Sequence, residues 1–215
     1  MHILGKLNDS ISKGWLECEI DGGRVFLAQF TKVKLISKHK SYELIELLEG
    51  RYKSKIAQIP YYISDKNLKL SYLVPSDLRN LPAKLVYFSD KHILEIKGLG
   101  KFSAHMENIF QEREVFKIKL PDYPHTEKYS SEYFSENLGG SRFVETWFKL
   151  IPEESFISDS YLHYGTLSKG CLTVVYISGN DIWNKIYFHL MKHRLDNLYI
   201  GTLVVINKSV TISNR

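Results

Sequence analysis

The strongest constraint on this chain is the short period of its apolar residues. Residues 14–20 and 24–30 alternate apolar with polar on either side of Asp21-Gly22-Gly23. Such a turn supplies the φ > 0 backbone that a tight hairpin needs. Similar runs recur at residues 33–37, 42–48, 51–59, 68–74, 84–88, 93–97, 114–120, 144–151, 161–166, 172–177 and 199–206. A period of two puts one side chain in the core and the next outside, which is the signature of half-buried strands. Only one segment keeps a helical period: Ile182, Ile186 and Leu190 with Trp183, Tyr187 and Met191 predict a helix from Asp181 to near Asn197, capped by Ser178 or Asn180. The chain therefore reads as mainly β, with one helix in the C-terminal region.

Composition agrees with a packed β fold. Apolar residues make up 44%, charged residues 25% and aromatic residues 13% of the 215, and aromatic side chains suit a pleated, half-buried surface. Pro75-Ser76-Asp77 and Leu81-Pro82 interrupt the pattern, which predicts a β-rich N-terminal region over 1–80 and a second domain over 81–215. The net charge of +5 comes from lysines and arginines interspersed with acids. That is a solvated surface rather than a nucleic-acid patch, and no nucleic-acid partner is expected. Residues 1–17 lack the apolar core of a secretory signal, and no segment approaches the ~20 apolar residues of a membrane span.

The two cysteines, Cys18 and Cys171, are too far apart and too few for a disulfide framework or a zinc motif. Cys18 falls within a hairpin strand and reads as structural. Cys171 has a different setting. His163, Gly165, Ser168, Gly170 and Cys171 crowd into one segment between two apolar runs. A free thiol titrates at about 8.5, and an imidazole within hydrogen-bond reach can take its proton. Two strands joined by a short loop would return His163 to Cys171. Gly170 lets the backbone turn before the thiol, so that the N–H groups of Gly170 and Cys171 could face an oxyanion. Spacing alone equally permits Cys171 to be a small buried residue at the start of a core strand, with His163 a satisfied polar residue on another.

The segment Ser168-Lys169-Gly170-Cys171-Leu172-Thr173-Val174 resembles the S-H-G-C motif of the L,D-transpeptidases (the YkuD family), and His163-Tyr164-Gly165 resembles their upstream H-x-G element. The resemblance implies an L,D-transpeptidase-like β-sandwich in which Cys171 is the acylated nucleophile and His163 the base. Ser168 and Gly170 would shape the turn, and the Tyr164 carbonyl would orient the imidazole. A weaker likeness extends over about residues 84–206, through Leu120-Pro121-Asp122-Tyr123-Pro124-His125 and Thr146-Trp147-Phe148. Lys169 stands where the motif has histidine, no arginine closely follows Cys171, and the interval from His163 to Cys171 is short.

Tyr164, Lys169 and, around the long polar loop 121–140, His125, Arg142 and Trp147 are the candidate substrate contacts; Trp147 also suits a core strand, and Arg142 a solvated loop. The resemblance implies acyl transfer on peptidoglycan stem peptides by a monomer without metal or cofactor. The setting would be the bacterial cell envelope, reached by a route that needs no signal peptide. A toxin effector with the same chemistry and a non-catalytic basic β-rich binding module are the alternatives. His189 and His193, spaced i, i+4, suit surface or helix-end roles better than a metal pair.

Overall fold

A computed structural model describes residues 1–5, 13–64, 66–106, 113–126, 141–153, 159–166, 170–177 and 181–207. The protein is mainly β, and among these residues there is one α-helix. The first nine strands are β1 (His2–Leu4), β2 (Trp15–Ile20), β3 (Gly23–Ala28), β4 (Lys32–Lys38), β5 (Tyr42–Leu47), β6 (Ile56–Pro60), β7 (Tyr62–Ile63), β8 (Lys69–Leu70) and β9 (Leu73–Pro75). Seven of them form an antiparallel sheet in the order β3-β2-β6-β5-β4-β1-β9, and β7 pairs with β8. The Asp21-Gly22 turn joins β2 to β3, with φ of 51° and 77°. Both values lie in the left-handed region that a two-residue hairpin of this hand requires.

The remaining strands are β10 (Ala83–Phe88), β11 (Ile93–Ile96), β12 (Gly100–Met106), β13 (Arg113–Lys119), β14 (Phe148–Pro152), β15 (Ser160–Gly165), β16 (Leu172–Val175) and β17 (Tyr199–Ile206), with α1 (Ile182–Met191) before the last. They close into a barrel in the order β10-β11-β12-β16-β15-β14-β13-β17. A ring of backbone pairing thus stands where the sequence suggested two facing sheets. Gly201 makes the closure possible, because a Cβ there would lie 2.1 Å from the Ala83 carbonyl oxygen across the parallel β10/β17 pair.

One core fills the barrel and runs on to α1, to Ile3, Trp15 and Ala28 of the first sheet, and to Phe30 in the turn after β3. A second lies on the other face of that sheet, around Leu4, Leu16, Cys18, Ile45 and Ile59. Neighbours Ile3 and Leu4, and Trp15 and Leu16, therefore enter different cores, as strand alternation dictates. Trp183 stacks on Tyr164 inside the barrel and meets Phe148 edge-on, which sets α1 against the barrel's interior side chains.

Several elements differ from the sequence reading. Residues 51–55 form a turn rather than a strand, since Gly50 and Ser54 adopt φ of 74° and 68°. Residues 144–147 likewise precede β14 in a turn closed by Thr146 N–H donating to Phe143 O. The strand β12 was not anticipated, although Phe102, Ala104 and Met106 alternate with Lys101, Ser103 and His105. The helix stops at Met191, short of Asn197: the Arg194 N–H turns away to Arg79 O and Leu81 O. The caps Ser178 and Asn180 lie outside the described residues.

Candidate active site

The site is built on the outer wall of the barrel. Leu162 and Tyr164 of β15, Leu172 and Val174 of β16, Ala104 of β12 and Phe148 of β14 belong to the barrel core. Alternation then turns Tyr161, His163, Thr173 and His105 outward. β15 and β16 run parallel, with Leu162 opposite Leu172 and His163 opposite Thr173. β12 lies on the far side of β16, with His105 opposite Thr173. A hairpin return of His163 to Cys171 is therefore not what forms. β16 thus starts level with Leu162, about 10 Å back along β15 from Gly165. Cys171 enters the wall one residue before β16, in electrostatic range of the Tyr161 hydroxyl.

His163 is 6% exposed, and both of its ring nitrogens have partners. Nδ1 lies 3.3 Å from Tyr164 O, and Nε2 lies 3.1 Å from Thr173 Oγ1. A carbonyl can only accept, so Nδ1 carries the proton and Nε2 presents a lone pair that the Thr173 hydroxyl meets as donor. Burial pulls the imidazole down to about 4. The Tyr164 carbonyl opposes this, and the neighbouring His105 adds to it.

An aromatic stack extends from that ring. Trp147 lies between His163 and His125, with centroids 4.4 Å away on both sides and interplanar angles of 20° and 10°. Its indole N–H donates to Val144 O. His125 is 7% exposed and is anchored by its backbone N–H donating to Glu145 O. It also packs against Tyr123 and edge-on against Tyr161. Burial, with His163 nearby, lowers its pKa to about 4 as well. The Tyr123 and Tyr161 hydroxyls lie 3.4 Å apart, and burial together with that contact raises the Tyr161 hydroxyl well above the phenol range.

The turn before the thiol is also held. Gly170 has φ of 78°, a conformation that favours glycine. The buried Ser160 hydroxyl donates to Gly170 O over 2.7 Å. Since the carbonyl and the next N–H of a trans peptide point in opposite directions, this bond directs the Cys171 N–H away from Ser160. Cys171 is 8% exposed, and neither it nor Cys18 is in a disulfide.

The structure thus gathers Cys171, Gly170, His163, His125 and Trp147 on one wall. Tyr164 is corrected as a substrate contact: its side chain lies inside the barrel against Trp183 and Tyr176, on the face opposite His163, and only its carbonyl serves the site. Arg142 is exposed, and its backbone N–H donates to Asn184 of α1. Ser168 and Lys169 lie outside the described residues. His105, Tyr123, Ser160, Tyr161 and Thr173 were not among the candidate site residues of the sequence, although Tyr161 and Thr173 are two positions from His163 and Cys171 and so share their face. His189 and His193 adjoin one another on α1 and its C-terminal turn, with centroids 4.5 Å apart. Among the described residues no group of three or more histidine, cysteine or acidic side chains could hold a metal ion. No helix among them is long and apolar enough to cross a membrane.

No protein-family model matches the chain, and no curated protein matches it in sequence.

Proposed function

We propose that the protein is a cysteine-dependent acyltransferase of the L,D-transpeptidase type, acting on peptidoglycan stem peptides in the cell envelope. The observation that carries this reading is the 3.3 Å contact that His163 makes through Nδ1 with Tyr164 O. The Nδ1–H is committed to Tyr164 O, which leaves the basic Nε2 on the wall that Cys171 enters. In the reaction the Cys171 S–H bond breaks and an N–H bond forms at Nε2, while the electron pair stays on sulfur. The thiolate attacks the carbonyl at the L-centre of diaminopimelate in a tetrapeptide stem. The oxyanion is stabilised by backbone N–H groups at Gly170 and Cys171, and D-alanine leaves with the proton from Nε2. An amine of a second stem, a free D-amino acid or water then resolves the thioester.

An imidazole held near 4 does not keep a thiolate waiting. The resting site is a neutral thiol beside a neutral imidazole, and proton transfer accompanies attack. Tyr123, His125, Trp147 and Tyr161 would form the substrate-facing wall. The likeness to a transpeptidase sandwich belongs to this proposal, as do monomeric action and the absence of a cofactor. An effector aimed at a rival's wall would use the same steps. The burial of Cys171, His163 and His125 favours a second reading, in which they are packing in a non-catalytic β-rich binding module.

Release of D-alanine from a tetrapeptide stem separates the two readings. The enzyme releases it and Cys171→Ala does not; a folded wild type that releases none leaves the binding module.

A further inference from the structure

The histidine base meets a threonine hydroxyl where a thiol proton must arrive. Resting on the acyl-transfer reading, we infer that Thr173 is the positioning residue for that base: its hydroxyl donates to Nε2 of neutral His163, turns its O–H away so that the freed lone pair takes the thiol proton, and then accepts from the Nε2–H.

The geometry supports this at each step. The Tyr164 carbonyl fixes the proton on Nδ1, so Thr173 is the donor across the 3.1 Å contact in the resting state. A hydroxyl carries one proton and two lone pairs and can reverse its role by rotating about C–O, with the oxygen stationary. Thr173 is 0% exposed, which limits competition from bulk water for either role. Its backbone is held between β12 and β15, opposite His105 and His163. A β-branched side chain is stiff at χ1, so Oγ1 stays aimed while its hydrogen turns.

A hydroxyl serves better here than a permanent donor or a permanent acceptor. A fixed donor, such as an ammonium, would oppose the imidazolium. A fixed acceptor, such as a carboxylate, would face the lone pair of the neutral ring. Threonine stabilises the ring on both sides of the proton transfer and holds its plane against Trp147. The proton of Thr173 never leaves Oγ1; only the S–H bond breaks and the Nε2–H bond forms.

The test compares Thr173→Val and Thr173→Ala, which lack the hydroxyl, with Thr173→Ser, which keeps it. A hydrogen bond to a charged group is worth about 1.5–3 kcal/mol against about 0.5–1 kcal/mol for the neutral contact it replaces, a difference of about 1–2 kcal/mol, or about 5- to 30-fold in rate. Acylation of Cys171 by a tetrapeptide stem should slow by that factor in the valine and alanine variants, through kcat rather than KM, and recover to within about threefold in the serine variant. Nitrogen NMR of His163 gives a readout independent of acylation. The Nε2 resonance should show an occupied lone pair in wild type and Thr173→Ser, and move to the free position in the hydroxyl-free variants. Hydroxyl-free variants that acylate like wild type, or an Nε2 resonance that does not move, would overturn the role of Thr173 and leave the acyl-transfer reading standing. A wild type that never acylates overturns both.

Discussion

His163 and its neighbour His125 decide how the site responds to acid. A free imidazole titrates near 6.5, and His163 is held at about 4 in the folded protein. The unfolded chain therefore binds the extra proton first, so stability is full above about 6.5 and declines as pH falls toward 4. For His163 alone the decline amounts to about 3 kcal/mol at the acid end of that window. His125, also at about 4, adds in the same direction. Urea midpoints measured from pH 7 to pH 4 should fall across this range, and His163→Gln should flatten part of the slope; a wild-type midpoint constant over the range would contradict the burial of a neutral ring. Burial also explains what was legible at this scale. Cys171, His163 and Gly170 stand out because thiol, imidazole and glycine in one segment are chemically conspicuous. Tyr164 was misjudged because the parity of its strand face cannot be known until Leu162 is seen to be core. Cys18 contrasts with Cys171: burial, aided by Glu17, pushes its thiol up to about 12 and leaves it inert.

At the scale of elements, the site depends on two parallel neighbours, β15 and β16, inside a barrel that closes at β10/β17. Alternating runs announced most strands, and the Asp21-Gly22 hairpin took the turn its residues require. The order of pairing was not legible, since nothing in a period of two says which strand will be a neighbour or in which direction it runs. Gly201 is the residue on which closure depends. The Cβ of Gly201→Ala would meet the Ala83 carbonyl at 2.1 Å and the Ala83 nitrogen at 2.7 Å. Backbone on both strands would have to separate, so the substitution should destabilise by about 3 kcal/mol or more, in the range of strained or overpacked cores. Gly22→Ala meets nothing within 4 Å and has only its φ of 77° to oppose it, which costs about 1 kcal/mol. Equal urea midpoints for the two variants would show that Gly201 is not what lets the barrel close.

The whole molecule is pinned by a buried ion pair that no local pattern revealed, because its members lie far apart in sequence. Arg194, just beyond α1, donates Nε and Nη2 to the two oxygens of Glu49 at 2.7 Å each. It also donates to Phe30 O, Met191 O and His193 O, which gives all five of its guanidinium N–H groups an acceptor. Glu49 further accepts the Lys32 N–H. Arg and Glu side chains are 2% and 1% exposed, so removing one strands the other without water. Glu49→Ala should cost about 3–5 kcal/mol. Because the pair joins the first sheet to the barrel's helix, and because one core spans both, wild type should unfold in a single transition by circular dichroism and by fluorescence. Two separated transitions would mean that the sheet and the barrel are held independently. The central claim, that Cys171 is a nucleophile served by His163, is tested most directly by the intact mass of the protein after exposure to a carbapenem. Wild type and Cys18→Ala should gain one ligand mass, Cys171→Ala none, and His163→Ala should gain it about 10²- to 10⁴-fold more slowly; equal uptake by wild type and Cys171→Ala, or no uptake by a folded wild type, would contradict it.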